Sequence, residues 1–133
     1  MKTDRDIPLR EWQTYLKKYS DKYLLGRNED GIWHIRLKQN LGFIQPHSVV
    51  NKQLVAIMHF KSKNAKTFFL KRAKDFDVKI NQEGDLDLCL VFDEKNIKNL
   101  EKLLKIRKRY KISTKERKRR ADCINKYREM KAS

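Results

Sequence analysis

The segment Lys105–Arg120, KIRKRYKISTKERKRR, carries ten basic residues and a single acid, Glu116. Side chains of that charge density cannot line an apolar core, because burying an unpaired charge costs far more than packing returns. Every strong apolar stripe lies in the residues up to about Lys111, and the segment from Ser113 onward offers only Ala121, Ile124, Tyr127 and Met130. The run itself is unfavourable through self-repulsion unless counter-charge neutralises it, and the commonest soluble partner of the right sign is a nucleic-acid backbone. Lys105, Arg107, Lys108, Arg109, Lys111, Lys115, Arg117, Lys118, Arg119 and Arg120 are accordingly the candidate phosphate-contacting residues. The bias extends to the last third of the chain: residues 94–133 hold 16 Lys or Arg and 5 acids, net +11 of a total of +16. Such asymmetry points to one dedicated binding surface rather than a uniformly basic one.

A chain of 133 residues buries one modest core and no more. The expectation is a core domain over 1–111 and a basic C-terminal helical arm over 112–133. The N-terminal segment lacks an apolar stretch of the secretory kind, and no run reaches the roughly 20 apolar residues of a spanning helix. The chain is thus expected to be cytoplasmic, or intracellular by another route, and not secreted. Cys89, in LDLCLVF, reads as a small core hydrophobe, and Cys123 has no cysteine close in sequence, which suits two thiols in a reducing compartment.

Apolar periodicity orders the rest. Leu9, Trp12, Leu16, Tyr19 and Tyr23 recur at steps of three and four, predicting a helix from Leu9 to Leu25, opened by Pro8 and stopped by Gly26, with Tyr15 as the exposed exception. Ile32–Lys38 alternates as a strand with Trp33, Ile35 and Leu37 inward and His34, Arg36 and Lys38 outward. Gly42–Pro46 reads as an edge piece, because proline cannot donate to a ladder. Gln53–Phe60, apolar almost throughout, reads as a central strand. A helix from Asn64 to Lys74 is expected to bury Phe68 with Phe69 or Leu70. Phe76–Asn81 and Leu86–Phe92, on either side of Glu83-Gly84-Asp85, form the clearest hairpin. Asp93 then caps a helix with the stripe Ile97, Leu100, Leu103 and Leu104. Ser113 and Glu116 fit a capping box opening a last helix over 114–130. The fold class is α+β: an antiparallel sheet of four to five strands with helices on one face, in the order α-β-β-α-β-β-α, plus the basic helix. Its anchors are Trp12, Leu54, Phe68, Phe76, Leu88 and Leu100.

Chemistry of other kinds has little footing. His34, His47 and His59 are isolated from one another and from the cysteines, where a zinc site would normally show a close ligand pair. His59 reads as a hydrogen-bonded core residue. Four glycines at positions 26, 31, 42 and 84 make no phosphate-cradling loop. Asp85 and Asp87 share the parity of one strand face and are the acids best spaced to share a divalent cation, or else form a solvated hairpin end. No catalytic residue, metal ligand or cofactor is predicted from these patterns.

Leu24-Leu25-Gly26-Arg27-Asn28-Glu29-Asp30-Gly31, placed just before the first strand of an α-β-β-α-β-β-α order, resembles the signature of the LAGLIDADG homing endonucleases. The resemblance implies paired motif helices, a curved sheet lying in the DNA major groove, and Asp30 as the acid that holds a catalytic magnesium ion. The segment is one residue shorter than that signature, a helical rotation of about 100°, and Arg27 and Asn28 stand where the family has apolar contact residues.

The leading expectation is a small non-enzymatic nucleic-acid-binding protein, its partner RNA or DNA, alone or within a ribonucleoprotein complex. The basic run supplies the phosphate contacts, and His34, Arg36 and Lys38 on the outward strand face supply a secondary surface. The alternatives are a LAGLIDADG-type endonuclease or inactive relative, and a phage or mobile-element protein that binds a host nucleoprotein complex.

Overall fold

A computed structural model of the chain describes residues 3–109. The predicted helix over 114–130, Cys123, the arm 112–133 and the basic residues Lys111, Lys115, Arg117, Lys118, Arg119 and Arg120 lie outside the described residues. What is described is an α+β unit built on one antiparallel sheet.

The elements run α1 (Leu9–Thr14), β1 (Leu25–Arg27), β2 (Trp33–Arg36), β3 (Gly42–Ser48), β4 (Gln53–His59), α2 (Lys63–Ala73), β5 (Lys79–Glu83), β6 (Asp87–Asp93) and α3 (Ile97–Leu100). The six strands are ordered β1-β2-β3-β4-β6-β5, every neighbouring pair antiparallel. Two strands exceed the four that the order α-β-β-α-β-β-α contains. One is β1, which lies inside the stretch expected to end a long helix: α1 stops at Thr14, a 3-10 turn continues over Tyr15–Tyr19, and the chain is extended by Leu25. The stripe Leu16, Tyr19, Tyr23 is still turned toward the core, so the spacing marked the buried side while overstating the helix. The other is β3, which is internal rather than an edge piece. Pro46 is tolerated there because β2 pairs only with Phe43 and Ile44, leaving β4 as the sole strand neighbour at Pro46, and the register with β4 shifts between Pro46 and Ser48.

One sheet face carries the core. Residues directly opposite on paired strands share a face, and the row Leu25, Ile35, Ile44, Ala56, Leu90 runs across five strands. Leu54, Met58, Leu88 and Phe92 extend it, and Leu16, Phe69, Ala73, Ile97, Leu100, Leu103 and Leu104 from the helical segments join the same buried cluster. The stripe predicted for the helix after Asp93 is thus buried in full, although regular α-helix spans only Ile97–Leu100. In α2, capped by Ser62 Oγ accepting from Ala65 N (3.2 Å), Phe69 and Ala73 face inward. Phe68 is 65% exposed and is no anchor, since the burying face of this one-sided helix falls at Phe69 and Ala73. Trp12 and Phe76 are half-buried. His59, expected in the core, sits on the outward side of β4 and pairs with Asp87 across β6. That pairing takes up one of the two acids proposed to share a cation, and the other, Asp85, lies in the turn before β6. Among the described residues no helix is long and apolar enough to cross a membrane.

Candidate nucleic-acid interface

The second sheet face presents Gly26 and His34, then Arg36, Phe43, Ile57 and Cys89 in one cross-strand row, then Gln45, Val55, Val91 and Lys79. The buried side chains of α2, α3 and the N-terminal helical segment all belong to the cluster on the first face. At the β1–β2–β3 end this second face is concave, forming a cavity of about 370 Å³ lined by His34, Arg36, Leu37, Asn40, Gly42, Phe43 and Arg107.

Arg107 reaches that cavity because the start of the basic run is built into the sheet margin. Ile106 is 2% exposed and pairs with Leu37, and Lys108 pairs with Tyr23, both antiparallel. Arg107 N donates to Arg36 O (2.9 Å), Leu24 N donates to Arg107 O (2.8 Å), and Lys38 N donates to Lys105 O (2.7 Å). The segment is therefore wedged between the entry to β1 and the exit of β2. The alternation that buries Ile106 puts Arg107 on the opposite face, beside Arg36.

The other described cations of the run are engaged differently. Lys108 Nζ pairs with Glu101 Oε2 (3.0 Å), and the other oxygen of that carboxylate accepts from Tyr23 Oη (2.6 Å). The Tyr23 hydrogen bond holds the Glu101 carboxyl below its ordinary pKa against the opposing effect of burial, with Lys108 and then Lys22 adding to the lowering. Arg109 Nη1 donates to Ser20 O (3.0 Å), and Lys105 Nζ lies 3.5 Å from Gln39 Oε1. Of the secondary residues, His34 and Arg36 line the cavity, while Lys38 belongs to the turn that follows β2 and is exposed outside it.

Phe43, Asn40 and Gly26 were not anticipated. The Phe43 ring packs on the His34 imidazole, centroids 4.9 Å apart and planes at 37°. Gly26 makes room for that arrangement, because a Cβ there would stand 2.7 Å from His34 Nε2 and 3.3 Å from Arg36 Nε. Burial, then the neighbouring Arg36 charge, pushes the His34 pKa below its ordinary value, and among the described residues the buried His34 Nδ1 has no hydrogen-bond partner. A signal for Phe43 does exist in the sequence: if Gly42–Ser48 is a strand, the partially apolar Ile44 and Pro46 take one face, and Phe43 and Gln45 the other.

A larger cavity of about 580 Å³ lies elsewhere, lined by Lys18, Tyr19, Asn51, Lys52, Asp93, Glu94 and Lys95. Its Glu94 carboxylate accepts hydrogen bonds from Tyr15 and Tyr19 and pairs with Lys18. The Lys18–Glu94 pair and the two tyrosines form a network that joins the N-terminal segment to the 3-10 turn Glu94–Asn96 just before α3. Tyr15 is half-buried in it, not exposed.

Asp30 occupies an exposed turn, where its backbone carbonyl accepts from Gln13 Nε2 (2.8 Å). The stretch Leu24–Gly31 spans β1 and this turn rather than a helix. Among the described residues no three His, Cys, Asp or Glu side chains are gathered as a cation site. The chain matches no known protein family, curated protein or solved structure.

Proposed function

We propose that this chain is a non-enzymatic nucleic-acid-binding protein whose interface is the second sheet face together with the basic run. The observation that carries the reading is the meeting of Arg36 and Arg107 at one concave surface with His34 and Phe43. The two arginines stand on backbone positions joined by a hydrogen bond and line one cavity, and each guanidinium is shaped to grip phosphate oxygens through paired N–H donors. Aromatic rings beside them add contact to a sugar or base, which plain salt-bridging surfaces lack. The described start of the run, Lys105–Arg109, lies at this same margin, and Arg107 belongs to one electrostatic footprint with Arg36.

The test is the salt dependence of binding. Contact with about five phosphates predicts a slope of log K against log salt of about −4.5 on duplex and about −3.5 on single strands. Changing Arg36 and Arg107 together to Gln reduces the slope by about 1.4 to 1.8, the share of two phosphates. A slope near zero in the unmodified chain overturns the reading. A discrete magnesium-dependent cleavage product that disappears in Asp30→Asn replaces it with the endonuclease alternative.

A further inference from the structure

We propose that the cavity formed by β2, β3, the turn between them and Arg107 takes one unstacked nucleotide of a single strand, its base against the Phe43–His34 pair and its phosphate between Arg36 and Arg107. This rests on the nucleic-acid reading above and names the form of nucleic acid that the site selects.

The lining has the parts such a ligand requires. Phe43 and His34 form a compact aromatic surface, ring centroids 4.9 Å apart, and burial, then the neighbouring Arg36 charge, lowers the imidazole pKa and so disfavours a third cation there. Arg36 and Arg107 project from backbone positions joined directly by a hydrogen bond, which fixes the roots of the two guanidiniums side by side. Asn40 brings an amide, able both to donate to and accept from a base edge. Its backbone and that of Gln39 adopt positive φ, 52° and 59°, an uncommon conformation for residues other than glycine that brings Asn40 to the cavity rim. The volume of about 370 Å³ falls in the range of small-ligand sites, roughly 300–1,000 Å³.

The choice of single strand follows from geometry. In a duplex the faces of the bases are stacked on one another and only their edges are presented, so an aromatic platform recessed in a concavity has nothing to stack on. In a single strand every base offers a π-face, and stacking on protein aromatics tolerates any sequence. Flat duplex contact would be served by the exposed cations alone and would leave Phe43 without a role.

The experiment uses the full-length chain and anisotropy of labelled 12-residue single-stranded RNA, single-stranded DNA and the matching duplex DNA at one salt concentration. A second reading comes from the fluorescence of 2-aminopurine placed within the single strands. Single strands are expected to bind at least tenfold tighter than duplex, with 2-aminopurine quenched on binding. Phe43→Ala and Phe43→Leu are expected to weaken single-strand binding about 5- to 150-fold, the loss of one stacked base, and Phe43→Trp to restore it. Phe43→Leu keeps an apolar side chain in β3, so an effect there with unchanged circular dichroism is not an unfolding effect. The RNA and DNA arms decide which polymer supplies the nucleotide, and tight binding of either supports the proposal. Duplex bound as tightly as single strands, or Phe43→Leu within twofold of the unmodified chain, overturns it. If Arg36→Gln and Arg107→Gln still weaken binding in that case, the nucleic-acid reading stands without it. If no polymer binds with a salt-dependent slope, both fail.

Discussion

Removing the Glu94 carboxylate is the most direct test of what holds the N-terminal segment against the sheet. Its oxygens accept the hydroxyls of Tyr15 and Tyr19, the latter at 2.7 Å, and Lys18 Nζ completes the group, with the Glu94 side chain 11% exposed. Burial pushes this carboxyl up, and hydrogen bonds from Lys18, Tyr15 and Tyr19 more than offset that, so its pKa lies below the ordinary value. Both phenols are raised, by burial first and then by the carboxylate they donate to. Hydrogen bonds to a charged acceptor contribute about 1.5–3 kcal/mol each, while the half-exposed Lys18 pair adds little. The adjoining cavity lets water reach the freed phenols, so Glu94→Ala should cost about 2–3 kcal/mol, at or just below the lower end of the roughly 3–6 kcal/mol that the two bonds sum to. For a domain of this size that corresponds to a fall in Tm of about 10–20 °C. Glu94→Gln keeps one acceptor oxygen and should cost about half as much. In urea denaturation, Tyr15→Phe and Tyr19→Phe should each be less damaging in the Glu94→Ala background than alone, because their partner is already gone. The pH dependence has a definite sign. A carboxyl with a depressed folded pKa stabilises fully above its unfolded pKa of about 4.3 and ceases to do so as pH falls through the folded value. The gap between the unmodified chain and Glu94→Gln should therefore be constant from pH 8 to about 5 and narrow below that. A Glu94→Ala cost under about 0.5 kcal/mol, or strictly additive tyrosine effects, would refute the reasoning.

Two glycines should behave oppositely when changed to alanine. At Gly42, φ is 153° and a Cβ would stand 1.9 Å from the Ile57 carbonyl oxygen, a backbone atom of the paired strand. Gly42→Ala should therefore disrupt β3–β4 pairing and destabilise the fold by about 3 kcal/mol or more, as measured by thermal unfolding. At Gly26 the obstructing atoms are the ends of the His34 and Arg36 side chains, which can move, and alanine restricts the unfolded chain. Gly26→Ala should change stability by less than about 1 kcal/mol while weakening nucleic-acid binding severalfold, and equal losses in both measurements would show that the His34–Arg36 arrangement is structural rather than functional.

How much of this was legible in the sequence depends on the range of the interaction that decides each feature. Ile35 and Leu37 inward with His34 and Arg36 outward followed from alternation alone, because a strand's pleat sets side-chain direction residue by residue. Leu100, Leu103 and Leu104 were likewise marked by spacing, and a hairpin about Gly84 was expected, although its first strand runs Lys79–Glu83, exposed throughout, rather than over the apolar alternation Phe76–Asn81. Charge alone marked the run as cationic surface and gave no sign that Ile106 within it is a core residue. By contrast, nothing local distinguishes Phe68 from Phe69. Which of two adjacent aromatics is buried depends on the rotation at which α2 docks, and that is settled by contacts such as Phe60 with Phe69, ring centroids 5.4 Å apart.

The site illustrates the same division. The sequence by itself determined that Arg107 belongs to a dense cationic run and that His34 and Arg36 share a strand face, since both depend only on neighbours along the chain. That these residues form one surface was decided by the tertiary structure. Ile106 buries beside Leu37, and the hydrogen bonds from Arg107 N to Arg36 O and from Leu24 N to Arg107 O set the register. Register between segments so far apart in the chain is a property of the whole sheet, and a shift of one residue would have turned Arg107 into the core face and Ile106 out to water. Phe43 joined the site for the same reason, through its pairing with Arg36 on β2, a partnership that no periodicity within either strand encodes.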